Sequence, residues 1–270
     1  MPFLFGCARA EAIPGPLLVA LLGDLGWSTS GARAMLRRMT RYGMLSSERS
    51  GRIATYRLAG LMRDRFDRYA TGAPPRDWDG RFHLVVYQVP ESRRRVREAL
   101  LTAADGHGYR QLRPGVLLAC WDDSAGFLDE FVGEDVVSGW LELGPDRDAI
   151  VARCWALDKV ADKLASLVDD LDRMLATPPD GDPERLRALA LGMGRALTIQ
   201  LGTVALPAQL LPRDWPGHRL GERMGAAAGL LGPSAARHID RTAAELGVAD
   251  QIVRTVSPVH PVSPVHPGTD

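Results

Sequence analysis

Four arginines between residues 33 and 41 are spaced to grip a polyanion. Arg33, Arg37 and Arg41 recur every four residues, and Arg38 flanks them. On a helix that spacing lines them along one face, while Ala32, Leu36 and Met39, with Met35 beside them, line the opposite face. A basic stripe facing away from an apolar one is what a helix needs to enter the major groove of DNA. The N-terminal end of such a helix points towards base edges. Ser28, Thr29, Ser30 and Arg33 stand at that end, and Thr29, Ser30 and Arg33 are the expected base readers. Arginine can bond guanine O6 and N7 together. Arg37, Arg38 and Arg41 lie further along and suit phosphates, which set affinity rather than sequence preference. Arg49 and Arg52 follow in a polar stretch, where they could reach the flanking backbone or minor groove.

Other chemistry has weaker support. The chain has no Gly-x-Ser-x-Gly, no phosphate loop and no His-Glu-x-x-His. The histidines at 83, 107, 218, 238, 260 and 266 show no metal-ligand spacing. His83 reads as a satisfied core or surface histidine, Asp122-Asp123 as a solvated turn, and Asp169, Asp170 and Asp172 as the wet face of a helix. Cys7, Cys120 and Cys154 are isolated, which argues against a zinc site or a disulfide framework. No catalytic residue, metal or cofactor is expected.

Charge supports the polyanion reading. The formal net charge is +0, but it is unevenly spread. Residues 1–76 hold 12 Arg against 5 acidic residues, a balance of +7, while residues 111–270 balance at −8. A basic head on an acidic body suits a nucleic-acid partner. No apolar run approaches the ~20 residues of a membrane span, and no secretory leader is apparent. A cytoplasmic protein is expected.

The elements that must position the arginines can be read on either side of them. Pro14-Gly15-Pro16 opens a helix over 17–22, since proline suits a first helical turn. Gly23 and Gly26 loosen a turn. Ser28 or Thr29 caps the basic helix, and Gly43 ends it. Met44-Leu45, a polar turn over 46–52 and Ile53 to Leu58 read as a hairpin. Helix, turn, helix, hairpin is the order of a winged helix. A further helix, 61–70, leads to a linker at 71–75.

From Trp78 the texture changes. Phe82 to Val89 is β-rich and stopped by Pro90. A helix over 91–104, strands at 109–111 and 116–121, a helix over 124–131 and a strand near 139–143 complete a β-α-β-β-α-β order, which is ferredoxin-like. Trp155, Val160, Leu164, Leu167, Leu171 and Leu175 then mark an amphipathic helix. Further helices are expected over 184–205, 218–231 and 233–246. The repeated Val-Ser-Pro-Val-His-Pro unit near the end predicts an extended, disordered tail.

The expected fold is therefore α+β, with an N-terminal winged helix-turn-helix over 1–72, a central ferredoxin-like βαββαβ domain over 77–150, a C-terminal helical domain over 151–250 and a disordered tail over 251–270. A ligand could lie between the middle and C-terminal segments, since pockets favour domain boundaries. Trp121, Trp155 and Trp215 are apolar candidates for its walls.

Several segments resemble the PaaX-type regulators of phenylacetate catabolism. Ser28-Thr29-Ser30-Gly31-Ala32-Arg33 through Leu36, Arg38 and Gly43 resembles their recognition helix. The run from Trp78 to Glu91 resembles the start of their middle domain, and Gly108-Tyr109 with Leu112 to Val116 continues it. Trp155-Ala156-Leu157 and Leu210 to Gly217 resemble C-terminal motifs. The resemblance implies a dimeric repressor on double-stranded DNA, with the middle domain dimerising. It also implies release by a small effector, an aryl-acyl-CoA thioester in the namesake branch. Fewer residues precede Pro16 than in that family, so the first helix is expected to be short or missing. The middle domain also resembles a CRISPR-associated nuclease fold, in which an Asp near the end of the first strand binds metal. Gln88 stands there in this chain, and an amide is a poor replacement for a carboxylate ligand. A winged helix used for protein contacts, or an enzyme without a recognisable motif, are the alternatives.

Overall fold

The computed structural model of the chain describes residues 2–71, 76–131, 135–200 and 206–254. It is an α+β protein with two four-stranded antiparallel sheets. The chain gathers into two compact units. One comprises residues 1–74, 164–197 and 216–270, the other residues 75–163 and 198–215. The helical segment expected over 151–250 is thus shared between them. Trp155, Leu206 and Leu210 bury against strands of the second unit, which draws their segments there. The Pro-rich repeat, His260 and His266 lie outside the described residues, as does most of the linker at 71–75.

The first unit opens with α1 (Pro2–Ala8), β1 (Ala10–Pro14), α2 (Gly15–Asp24) and α3 (Thr29–Arg41). The short first helix is present. Strand β1 was not foreseen; five residues flanked by helices carry little periodicity. The hairpin β2 (Leu45–Ser50) and β3 (Ile53–Leu58) follows, then α4 (Gly60–Thr71). Most of the polar stretch expected as a turn is strand. Ser50 pairs with Ile53, so only Gly51 and Arg52 form the turn, and Gly51 takes φ +60° as such short hairpins demand. Strand β1 pairs with β3, placing Ile13 opposite Tyr56. Leu17, Leu18, Leu21 and Leu22 of α2, Ala32 and Leu36 of α3, and Leu45 are all buried.

In the second unit, β4 (Phe82–Gln88), α5 (Arg94–Gly106), β5 (Arg110–Arg113), β6 (Val116–Ala119), α6 (Ala125–Leu128) and β7 (Asp135–Leu141) run in the βαββαβ sequence. The strand order β5-β6-β4-β7 is that of a ferredoxin-like sheet. Both faces are covered. Val85, Tyr87, Leu117 and Ala119 pack with Leu100 and Ala104 of α5 and Phe127 of α6. Phe82, Leu118 and Cys120 pack with Val151 of α7 (Arg147–Cys154), Trp155 and Leu157. Double coverage explains why the β4 sequence is apolar at consecutive positions rather than alternating. Burial pushes the Cys120 thiol up to about 12, as it does the Cys7 thiol in the first unit, leaving both poor nucleophiles.

The remaining helices are α8 (Leu157–Ala176), α9 (Asp182–Gln200) and α10 (Gly217–Glu245). Two helices expected over 218–246 are one, with Pro233 inside it. An internal proline costs roughly 3 kcal/mol. The buried face, Leu220, Met224, Ala227 and Leu231, continues past it through Ala235, His238 and Ile239, and that burial holds the helix together. Asp170 and Asp172 of α8 are not simply a wet face. Asp170 pairs with Arg173 of its own helix and Arg195 of α9, and Asp172 with Arg219 and Arg223 of α10. Residues 251–254 are not tail. Strand β8 (Val253–Arg254) pairs with β1, and Arg254 donates to Ala8 O at 2.9 Å and pairs with Asp240.

Candidate nucleic-acid interface

Helix α3 is held by its ends and its inner face. Ser28 is extended and its Oγ accepts from Gly31 N at 3.1 Å, which caps the helix. Its Oγ also lies 3.2 Å from Ser30 Oγ. At the far end Gly43 takes φ +68°, and Met44 N returns to Met39 O at 2.9 Å. Ala32 and Leu36 are buried. With those two positions fixed, helical geometry turns residues 33, 37 and 41 outward.

The structure places every sequence-predicted residue at the surface. Ser28, Thr29 and Ser30 are exposed at the N-terminal end of α3; Arg33, Arg37, Arg38 and Arg41 are exposed along it; Arg49 and Arg52 are exposed on the hairpin of the same unit. Among the described residues, none of these six arginines forms an ion pair. Other arginines do, among them Arg57 with Glu11, Arg63 with Asp67, Arg237 and Arg241 with Asp182, and Arg254 with Asp240. Glu11, Asp67, Asp182 and Asp240 thus engage guanidinium groups elsewhere, and none of them neutralises the α3 stripe.

Two aromatic residues were not foreseen. Trp27, 44% exposed, precedes the Ser28 cap, and Tyr42, 66% exposed, follows Arg41. Each brackets the arginine row. Their position beside the cap and the terminal glycine is the signal that could have found them.

The second unit resolves the remaining candidates. His83 is buried, its Nδ1 lies 2.7 Å from the Tyr109 hydroxyl and its Nε2 3.5 Å from Asp122 Oδ2. Burial lowers the His83 pKa against the opposing pull of Asp122. Asp122 accepts from Ser124 N at 3.0 Å and from Ser124 Oγ at 2.6 Å, and Asp123 accepts from Arg76 at 2.7 Å. Desolvation works to raise the Asp122 pKa, but these hydrogen bonds and His83 outweigh it and the net shift is downward. The acidic pair is engaged by neighbours of its own chain. Gln88 ends β4 and is exposed.

Among the described residues no helix is long and apolar enough to cross a membrane. No curated protein matches the chain. It is similar in structure to the uncharacterized protein Rv0674 from Mycobacterium tuberculosis, with 25% identity over 84% of this chain and 89% of that one and a TM-score of 0.50. Residues 5–61 match the family described as PaaX-like protein, and residues 75–133 match the PaaX protein central Cas2-like domain. The first match covers the winged-helix elements and the second strands β4 to β6, so over both stretches the chain is similar to the PaaX-like family.

Proposed function

We propose that the protein is a sequence-specific DNA-binding transcriptional regulator, a repressor released by a small effector. The observation that carries this reading is the row of exposed arginines on α3 and the β2–β3 hairpin, free of ion pairs among the described residues. An unneutralised row on a capped, core-anchored helix suits the phosphates of a duplex. Thr29, Ser30 and Arg33 lie at base edges in this reading. Arg37, Arg38 and Arg41 contact phosphates, and Arg49 and Arg52 reach the flanking groove. Similarity to the family supports the regulatory role, and the effector class it suggests is an acyl-CoA thioester. A chromosomal DNA partner implies a cytoplasmic protein in this reading.

The regulator acts as a homodimer. Strand β7 supports this: it is a sheet edge, with Val137 68% exposed and Leu141 and Val86 partly exposed beside it. Long apolar edges invite another chain.

Selection of bound genomic fragments by the purified protein, followed by fluorescence anisotropy on the recovered site, tests the assignment. Affinity should fall steeply with salt, the logarithm of the binding constant losing about 0.9 per neutralised phosphate for each decade of salt. Absence of fragment enrichment, or a flat salt response, would overturn it in favour of a winged helix used for protein contacts.

A further inference from the structure

Trp27 and Tyr42 stand at opposite ends of α3 and are 44% and 66% exposed. They share one flank of the helix. Gly31, Met35, Arg38 and Tyr42 follow one another at four, three and four residues, the spacing of a single helical stripe. Trp27 joins its start: a Cβ on Gly31 would lie 3.6 Å from the Trp27 ring, so the indole rests against the first turn. This stripe contains Arg38 and adjoins the row of Arg33, Arg37 and Arg41. Helix α3 has 13 residues, so at ~1.5 Å per residue the two aromatic positions stand about 20 Å apart along its axis.

Tryptophan and tyrosine each join an apolar ring to a hydrogen-bond donor. Such side chains suit a boundary that is apolar on one side and polar on the other. Among the described residues the Trp27 Nε1 and the Tyr42 hydroxyl make no hydrogen bond. The cations beside them decide what can cover the flank. An apolar protein surface would leave Arg38 and the adjoining row buried without partners, at heavy cost. The wall of a DNA groove instead offers deoxyribose to the rings and a phosphate acceptor to every donor.

We propose that Trp27 and Tyr42 are uncharged anchors of α3 on the DNA backbone, seated on the one strand that borders this flank. Each ring lies against deoxyribose, and each donor, Nε1–H or O–H, bonds a phosphate oxygen. Two such contacts at opposite ends of the helix fix its register in the groove, leaving Thr29, Ser30 and Arg33 to read bases. The proposal rests on the DNA-binding reading above and adds to it a contact that carries no charge.

The test uses the full chain and a fluorescein-labelled duplex carrying the selected genomic site. Trp27→Phe and Tyr42→Phe keep the rings and delete the donors. Each should bind the duplex about tenfold more weakly, in line with loss of one hydrogen bond to a charged group. The salt slope should stay that of the wild type, because an uncharged donor releases no counterion, whereas Arg37→Ala should flatten it. Methylphosphonates walked along each strand should find positions, on one strand only, where the wild type loses affinity and the corresponding variant does not. In ¹⁵N-labelled protein the duplex should move the Trp27 indole N–H resonance saturably. Wild-type affinity in both variants, an altered salt slope, interference on both strands or an unmoved indole resonance overturns the proposal. Should a variant fail to fold, the indole resonance decides alone. Arg37→Ala separates the two readings. If it weakens binding and flattens the slope while both Phe variants bind as wild type, the regulator stands and the anchors fall. A chain that enriches no fragment removes both.

Discussion

His238 of α10 and Asp24 at the end of α2 are joined by a 2.7 Å hydrogen bond across 214 residues of sequence. Arg241 Nη2 lies 3.2 Å from His238 Nδ1. A guanidinium can only donate, so Nδ1 accepts and Nε2 carries the hydrogen given to Asp24. Arg241 is held in turn by Asp182 at the start of α9, which also engages Arg237. The first helix of the helix-turn-helix is therefore tied to the C-terminal helices by a polar chain of fixed polarity. His238→Leu should leave the partly buried Asp24 carboxylate without its donor and cost about 1–3 kcal/mol. Urea denaturation of the full chain measures this. A midpoint equal to wild type would show that the link contributes nothing.

The arginines predict two kinds of binding defect. Arg33→Ala should cost about 1–3 kcal/mol at one base pair and relax the preference there. Arg37→Ala and Arg41→Ala should weaken all sequences alike and reduce the salt slope by about one each. Anisotropy against the selected site and single-base variants distinguishes them. If Arg33→Ala changed only the salt slope, it would be a phosphate contact.

The winged-helix elements and the βαββαβ order were legible because each is local. The Ser28 cap, Gly43 and the arginine spacing act within one helix, and β4 announces itself by composition. Strands β1 and β8 were not legible. They are five and two residues long; β1 exists through pairing with β3 and β8, and β8 through pairing with β1 across the whole chain. Nor was the unity of α10, where Pro233 signals a break that tertiary burial overrides. At the candidate interface, residue identity showed which arginines could face DNA. That they lack acidic partners depends on where Glu11, Asp182 and Asp240 fall in space, and spacing along the chain cannot carry that.

Gly60 marks a close approach between the end of α3 and the start of α4. It takes φ +51°, and a Cβ there would lie 2.9 Å from Gly43 O. Gly43 also has positive φ, but a Cβ on it would meet nothing within 4 Å. Gly43→Ala should therefore cost only the left-handed penalty, about 1–2 kcal/mol. Gly60→Ala must add a backbone clash and cost more, with the hairpin displaced and DNA affinity falling with it. Thermal unfolding of the two variants tests the order, and an equal loss would mean the carbonyl moves aside freely.

His83 gives the stability of the protein a dependence on acid. Burial depresses its folded pKa below the ordinary 6.5, with Asp122 opposing. The unfolded chain then binds a proton more readily than the folded one. Stability contributed by the uncharged imidazole is intact above pH 6.5 and is lost as pH falls through that value towards the folded pKa. Charging His83 would also place a cation in the core beside the Trp140 and Tyr109 rings. Melting temperature should fall between pH 7 and pH 5 in the wild type. In His83→Gln the fall should be shallower, although the variant is less stable at pH 7 for want of the Tyr109 contact. The remaining histidines are common to both proteins, so the difference between the two curves isolates position 83. Parallel curves would mean that the imidazole reaches solvent easily enough to charge without cost.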